Sequence, residues 1–467
     1  MKTNMKRGVS RNLVSWVIQY ATRASLRQVI CLIGLTAALA AGDARADIGV
    51  QQRNSPPQPP VRFAVVSDPH LYDTRLGTDG AAFEAYLAQD PKLLRESDAI
   101  LDSAIEGIVQ QQVQFLIISG DLTKDGELLD HIRMAQHLAK LERHGVKVFV
   151  VPGNHDINNP DAVRYKGDTN RPVATVTPRL FKAIYQQFGY REAVEQDRHS
   201  LSYVAEPVRG LWLLAIDSCK YDESKTNAHP VVSVRIRPET MTWIQGVMQK
   251  AHARGKQVIA FTHHGVNQHF FGEADLFPDY LLDDWANTSI QLAQTGLKVI
   301  FTGHYHSQDA AYLVDATLTP LSPLCDVETA SLAAYPCAFR IATLDSQNLL
   351  HIESQQVTAI NADTGGLPFQ EYAFNAIFAP TVELAAARIE ATFGLPHDQA
   401  AAVAPLVAQA IVANYAGDEA PSAETQAFIN ALIGSPEPQH TLGTILWGLW
   451  TDLPPADGEL VLPVGIN

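Results

Sequence analysis

Five short clusters between residues 68 and 306 contain the side chains that bind divalent transition metals. Each cluster combines aspartate, asparagine or histidine, whose oxygen and nitrogen atoms are common ligands of such ions. Seven candidate ligands are too many for one tetrahedral ion, but they suit two five- or six-coordinate ions that share a carboxylate. Two ions about 3.5–4 Å apart can clamp a phosphoryl group and activate a water molecule. The candidate ligands are Asp68, His70, Asp121, Asn154, His263, His304 and His306.

Each cluster directly follows a short apolar run of the kind that forms buried strands in layered α/β folds. The runs are residues 63–66, 115–118, 148–151, 258–261 and 299–301. Loops at the carboxyl ends of such strands share one edge of a sheet, where α/β proteins place their ligands. We therefore expect the clusters to converge, with Asp121 as the bridging carboxylate because its strand is central.

Taken singly, each cluster has a simpler interpretation as a turn or a surface loop. The order of the clusters, each behind a strand, favours a shared site. His264 is an alternative to His263 as a ligand. Three further histidines, His131, His137 and His144, lie in a charged helical stretch and are predicted to be solvated.

The set Asp68-x-His70, Gly120-Asp121, Gly153-Asn154-His155-Asp156, His263 and Gly303-His304-x-His306 resembles the calcineurin-like metallophosphoesterase superfamily. The resemblance implies an α/β fold, a four-layer α/β/β/α sandwich, with two divalent transition metal ions such as Mn, Fe or Zn. It implies that Asp68, His70, Asp121 and His306 hold one ion. It also implies that Asp121, Asn154, His263 and His304 hold the other, and it favours His263 over His264.

The second motif distinguishes branches of this superfamily. Residues 120–126 contain no arginine, unlike protein serine/threonine phosphatases, and Lys124 occupies the place of the purple acid phosphatase tyrosine. Residues 119–127 and 151–160 resemble instead the class III cyclic-nucleotide phosphodiesterase branch, and more closely its secreted bacterial members with a helical C-terminal part. We therefore expect phosphodiester hydrolysis, with a phosphomonoesterase or nucleotidase, or a catalytically degenerate scaffold, as alternatives.

Two residues of the third motif are candidate catalytic groups. The resemblance implies that His155 stabilises developing charge or protonates the leaving oxygen. Asp156 is predicted either to orient the His155 ring or to be an ordinary turn carboxylate.

The N-terminus resembles a secretory signal peptide. Residues 1–28 are basic, residues 29–41 are apolar, and Ala44-Arg45-Ala46 is a cleavage sequence. The apolar stretch is short for a membrane span, so we expect export to the periplasm or the extracellular space, without a stable membrane span in the mature protein.

The charge balance limits the class of partner. The chain has 35 Lys and Arg against 50 Asp and Glu, and the predicted cleavage removes seven basic residues and one acidic residue, which changes the formal charge from −15 to −21. Nucleic-acid polymers and anionic membranes bind through Lys and Arg, so the acidic charge argues against both as partners. The resemblance implies a small phosphate ester, which bound metals can attract despite the acidic chain. The sequence leaves the oligomeric state open.

Composition divides the chain into four predicted parts. They are the signal peptide (1–46), an exposed lead-in (47–60), the catalytic domain (61–375) and a helical C-terminal subdomain (376–467). Helical patterns cover residues 92–112, 127–143, 239–254 and 283–295, and then 382–393, 398–415 and 423–432. The helical subdomain is expected to pack against the catalytic domain or, alternatively, to form a substrate rim or docking surface.

Three cysteines remain after the predicted cleavage. Because exported proteins fold in an oxidising space, we expect a disulfide between Cys325 and Cys337, with Cys219 as a buried thiol.

Overall fold

The computed structural model describes residues 60–227, 229–313, 324–417 and 419–464. The predicted signal peptide and all of the lead-in except Pro60 lie outside the described residues.

The described residues form 15 strands and 12 α-helices. The strands are β1 (Val61–Val66), β2 (Phe115–Ile118), β3 (Lys147–Val150), β4 (Val163–Lys166), β5 (Thr169–Pro172), β6 (Ala193–Gln196), β7 (Tyr203–Val208), β8 (Leu211–Ala215), β9 (Gln257–Phe261), β10 (Val299–Thr302), β11 (Ala310–Tyr312), β12 (Cys325–Glu328), β13 (Ala338–Leu344), β14 (Leu349–Gln356) and β15 (Glu459–Pro463). The helices are α1 (Ala81–Leu87), α2 (Ser97–Gln110), α3 (Leu128–Arg143), α4 (Pro178–Ile184), α5 (Tyr221–Ser224), α6 (Pro238–Ala253), α7 (Glu273–Leu276), α8 (Trp285–Gln294), α9 (Phe369–Phe393), α10 (His397–Ala416), α11 (Ala423–Ile433) and α12 (Gln439–Leu449).

The first sheet has six strands in the order β15-β14-β13-β1-β2-β3. Its strands β1, β2 and β3 are parallel neighbours, with Val65 opposite Ile117 and Ile117 opposite Phe149. Their carboxyl ends therefore lie side by side at one edge, as the apolar runs predict.

The second sheet has seven strands in the order β11-β12-β10-β9-β8-β7-β6. Strand β9 lies between β8 and β10, and all three are parallel. The loops after β9 and β10, which carry the histidine clusters, are consequently adjacent.

The two sheets pack face to face between two layers of helices, so the predicted four-layer sandwich is confirmed. On β8, Leu213 belongs to the core between the sheets, whereas Trp212 and Leu214 pack on the other face with residues of α6 and α8. This alternation follows from the two-residue period of a strand. The Phe63 and Phe301 rings, one from each sheet, meet edge to face at 5.9 Å.

The helical C-terminal part consists of α9 to α12, which share a small apolar core. Helix α9 begins well before the predicted start of its helical pattern, and residue 376 lies inside it. After α12 the chain returns as β15, which pairs with β14 in the first sheet. The predicted division of the chain at residue 376 stays a prediction.

Helix α10 is the one helix of the described residues that is long and apolar enough, by length and composition, to cross a membrane. Its buried face contains Val403, Ala404 and Ala408. The first two belong to the core that the C-terminal helices share.

Two predictions from the sequence are wrong. Cys325 and Cys337 are free, buried thiols, because Cys325 begins β12 in the second sheet and Cys337 precedes β13 in the first. His131 and His137 are fully buried rather than solvated, because both project from the face of α3 that packs on the core.

Candidate metal centre

The first group of candidate ligands gathers around Nε2 of His70. This atom lies 3.2 Å from Nε2 of His306 and 3.7 Å from both Oδ1 of Asp68 and Oδ2 of Asp121. Nε2 of His306 is in turn 3.3 Å from Oδ1 of Asp68. Four side chains from three loops thus direct a nitrogen or oxygen atom at one point.

The second group gathers around Nε2 of His263. This atom lies 3.1 Å from Oδ2 of Asp121 and 3.1 Å from Oδ1 of Asn154. The His304 ring is 4.9 Å from the His263 ring, centroid to centroid. Oδ2 of Asp121 therefore faces both groups, as expected for a bridging carboxylate.

His264 lies beside the second group. Its Nδ1 is 2.8 Å from Oγ of Ser218, which leaves Nε2 free to face the site. His263, His264 and His304 can each offer one nitrogen within 4.8 Å of the others. Nδ1 of His263 contacts the Ser119 carbonyl at 2.9 Å, which aims its Nε2 at Asp121.

Several buried atoms in and beside the two groups have no hydrogen-bond partner among the described residues. They are Oδ1 of Asp68, Nδ1 of His70, Nε2 of His264 and Nε2 of His304. A buried polar atom without a partner is costly, and bound metal ions would supply the missing interaction for those that face the centre. The donor set therefore fits two divalent transition metals.

The backbone adopts the left-handed conformation at five of the seven candidate ligands. Their φ angles are 49° at Asp68, 38° at His70, 45° at Asp121, 77° at His304 and 74° at His306. Non-glycine residues with positive φ are uncommon and concentrate at functional sites. The surrounding fold imposes these conformations, which turn the side chains inward.

Two glycines allow the loops to approach one another closely. A Cβ at Gly153 would collide with the Asp121 carboxylate, and one at Gly303 would collide with Ser67 and Asp68. Any side chain at either position would push the ligand loops apart.

Burial and neighbouring charges shift the pKa values of His304 and His263 in opposite directions. Burial and the positive charge of His263 lower the pKa of His304 to about 3. Burial opposes protonation of His263 too, but Asp121 and Asp68 outweigh it and raise its pKa to about 9. Metals bind the neutral form of imidazole, so His304 is ready for an ion, whereas ion binding must displace a proton from His263.

Asp156 contacts the backbone of the bridging loop, and the His155 ring has a different carboxylate as its partner. Its carboxylate accepts hydrogen bonds from the backbone N–H groups of Leu122 at 3.1 Å, Thr123 at 3.0 Å and Gly153 at 2.8 Å. It thereby ties the Asp121 loop to the Asn154 loop. Burial and the Asp121 charge raise the pKa of Asp156 to about 7.

The group that orients His155 is Asp125. Nδ1 of His155 donates to Oδ1 of Asp125 at 2.8 Å, and Nε2 on the other side of the ring is 3.9 Å from Oδ2 of Asp121. The His155 side chain is 19% exposed. It is therefore more accessible than the buried Asp121 beside it, and it lies at the open side of the centre.

Asp125 is held by a buried lysine. Nζ of Lys124 pairs with Oδ2 of Asp125 and lies 3.6 Å from Glu127. The ammonium group also lies 3.9 Å from the Tyr86 ring centroid and 5.4 Å from that of Tyr165, as in cation–π contacts. In the sequence, Lys124 stands out only because it replaces the tyrosine of the purple acid phosphatases. Asp125 directly follows it, but the contact between Asp125 and His155 was not predicted.

A second buried network fixes the histidine loops from behind. Asp326 at β12 accepts hydrogen bonds from the backbone of Val266 at 2.6 Å, just after the His263 loop, and Glu328 accepts from Ser307 at 3.1 Å, next to His306. The buried His269 ring lies between these carboxylates, 3.4 Å from Asp326 and 3.8 Å from Glu328. Strand β12 thus aligns both loops.

This arrangement agrees with a sequence comparison. The model of the calcineurin-like phosphoesterase family matches residues 61–308, more than half of the chain. The chain therefore belongs to this family. A search of curated proteins found no match.

Three solved structures illustrate the similarity. A dimetal phosphatase from Danio rerio is 15% identical, with a TM-score of 0.43 over 63% of this chain and 96% of that chain. A purple acid phosphatase from yellow lupin (Lupinus luteus) seeds is 13% identical, with a TM-score of 0.40 over 65% of this chain and 52% of that chain. GAP50, the anchor in the inner membrane complex of Plasmodium, is 11% identical, with a TM-score of 0.33 over 68% of this chain and 94% of that chain. The family assignment rests on the sequence match.

Proposed function

We propose that this protein hydrolyses phosphate esters with two divalent transition metal ions. The observation that carries the proposal is the position of Oδ2 of Asp121, 3.7 Å from Nε2 of His70 and 3.1 Å from Nε2 of His263. In this proposal Asp68, His70, Asp121 and His306 hold one ion, and Asp121, Asn154, His263 and His304 hold the other. Membership of the phosphoesterase family supports the same reaction class.

The positions of the residues around the centre suggest a role for each in this reaction. When bound, the metals supply a water of lowered pKa and positive charge for the phosphoryl oxygens. His155, at the open side of the centre, holds a proton on Nε2 for the leaving oxygen. Asp125 keeps the ring in place through Nδ1, and Asp156 keeps the two ligand loops together.

We further propose a preference for phosphodiesters. A diester carries one negative charge and a monoester carries two, so a diesterase needs fewer cations beside the metals. Residues 120–126 provide no arginine for the phosphoryl group. Their resemblance to the cyclic-nucleotide phosphodiesterase branch supports the same preference.

A monoesterase is the second candidate, and one observation favours it. The Lys92 ammonium is buried close enough to His70 to lower the pKa of that histidine, after burial itself. Its Nζ pairs with Oδ2 of Asp90 at 2.5 Å, which offsets its charge. We therefore rank the diesterase first.

The test compares bis(p-nitrophenyl) phosphate with p-nitrophenyl phosphate, because both release the same alcohol. The mature chain, reconstituted separately with Mn, Fe or Zn, should hydrolyse the diester with the higher kcat/KM. A higher value for the monoester would favour the second candidate. If the chain binds metals but hydrolyses neither ester, the result would favour the catalytically degenerate scaffold.

We propose that the protein acts after export, on a small ester in the periplasm or outside the cell. The basic and apolar segments before Ala44-Arg45-Ala46 support this location. Amino-terminal sequencing of protein from the producing cell should give a start at or near Asp47. An intact Met1 on cytosolic protein would contradict export.

A further inference from the structure

The end of helix α10 is fixed to the loop that carries His304 and His306. The backbone N–H of Gln308 donates to the Asn414 carbonyl at 3.0 Å. The Asn414 side chain donates to the Leu449 carbonyl at 2.7 Å, which links α10 to α12. Gly417 lies so close to the Gln308 carbonyl that a Cβ would collide with it. The helical part is thus held directly against the candidate metal centre.

This contact places Tyr415 beside a candidate ligand. Its ring centroid is 6.0 Å from that of His306, and the side chain is half-buried. From a different segment, the half-buried ring of Tyr280 lies 4.7 Å from the His304 ring at an interplanar angle of 34°. Each histidine of the last motif therefore has a tyrosine ring against it.

Two groups of opposite charge act on both tyrosine rings. Asp90 and the exposed Arg388 both act electrostatically on Tyr280 and Tyr415. Burial raises the pKa of both phenols, so the two rings stay neutral.

The exposure of the candidate site residues indicates on which side of the centre a substrate would lie. Within the described residues, the His155 side chain is 19% exposed and that of His306 is 14% exposed, whereas those of Asp68 and His70 are fully buried. We infer that a phosphoryl group reaches the centre beside these two partly exposed histidines. Its organic substituent then extends toward the opening where Tyr415 lies.

We propose that Tyr280 and Tyr415 form a subsite for a planar aromatic ring carried by the phosphate ester. Aromatic side chains stack on flat rings of many kinds, including those of aryl and nucleoside esters. The C-terminal helical part then supplies a wall of the substrate site, in addition to packing. The inference rests on the proposed function for the position of the phosphoryl group.

Binding of two inert ligands tests the subsite without turnover. The probes are phenylphosphonate and methylphosphonate, which share the phosphonate group and differ in the ring. Isothermal titration of the metal-loaded mature chain should give the phenyl compound a dissociation constant about 10-fold lower, since stacking on one side chain has roughly this effect. Tyr415→Ala should remove most of that preference, and Tyr415→Phe should keep it.

Two further variants complete the design. Phe428→Ala, which removes an exposed ring on α11, is the matched control and should leave the preference unchanged. Tyr280 lies in another segment, so Tyr280→Ala should independently weaken the preference for the phenyl compound. This variant keeps the test available if Tyr415→Ala does not fold.

The outcomes separate the subsite from the proposed function. Equal affinity of the wild-type chain for both phosphonates would overturn the subsite, and so would an unchanged preference in Tyr415→Ala and Tyr280→Ala. An equal loss of affinity for both phosphonates in these variants, with metal content intact, would indicate a structural role of the tyrosines and would also overturn the subsite. Hydrolysis of bis(p-nitrophenyl) phosphate by the same preparation reports on the proposed function separately. A chain that binds neither phosphonate and hydrolyses no ester overturns both.

Discussion

Oδ1 of Asp125 accepts a hydrogen bond from Nδ1 of His155 at 2.8 Å, which leaves Nε2 facing the candidate metal centre. The carboxylate thereby sets both the orientation and the protonation of the ring. Burial disfavours the charged ring, but Asp121 and Asp125 outweigh it and raise the pKa of His155 to about 9. The pair is therefore arranged to keep a proton available at the open side of the site.

Asp125→Asn tests this relationship. The amide keeps the size of the side chain and removes its charge, so His155 should lose its oriented proton while the proposed metal ligands stay in place. We expect kcat to fall about 10- to 100-fold, the range found when a group that orients a functional histidine is replaced. Asp161→Asn is the control, since that carboxylate pairs with His229 instead. Unchanged turnover in Asp125→Asn would show that the hydrogen bond is not used.

His155→Ala removes the ring itself. Both metals and the fold should remain, because His155 belongs to neither proposed ligand group. Turnover should fall about 10²–10⁴-fold, the usual contribution of general acid–base catalysis. The decrease should appear chiefly in kcat and should be larger for alkyl than for nitrophenyl leaving groups, which need no proton. Equal losses for both would exclude the acid role, and loss of metal would contradict the assignment.

Buried His131 makes stability depend on pH. Its Nε2 donates to the Asp156 carbonyl at 2.8 Å, and in the neutral ring its Nδ1 accepts from the Tyr185 hydroxyl at 2.8 Å. Burial lowers the pKa of His131 to about 4, below the unfolded value of 6.5. The unfolded chain thus takes up the proton first, and stability is lost as the pH falls from about 6.5 toward about 4.

Urea unfolding of the wild type and His131→Gln measures this effect. Between about pH 7.5 and pH 5, the wild type should lose about 2 kcal/mol more stability than the variant. Parallel pH dependence in the two proteins would mean that folding does not shift the pKa of His131.

Local sequence patterns predicted the strands and the convergence of the candidate ligands at one edge of the sheets. The runs before Asp68, Asp121 and Asn154 are uniformly apolar because helices cover one sheet face and the second sheet covers the other. Parallel neighbours then bring their following residues to one edge, so strand order alone implies the cluster.

Contacts made across the fold were not predictable in the same way. The periodicity of α3 correctly predicted a helix, but it did not predict that His131 is buried. The ring can be buried because the Tyr185 hydroxyl and the Asp156 carbonyl are hydrogen-bond partners of its two nitrogens. The partner of His155 proved to be Asp125, 30 positions away, rather than its neighbour Asp156. Likewise, the ring of Tyr415 reaches His306 only because α10 folds back on that loop.

The metal content of Asp121→Ala tests the central claim most directly. After reconstitution and dialysis, elemental analysis of the wild type should give two metal equivalents per chain. Asp121→Ala should retain neither, because both groups lose the oxygen that they share, whereas Asn154→Ala should mainly weaken one. Two equivalents retained in Asp121→Ala would contradict the assignment of Asp121 as the carboxylate that both ions share.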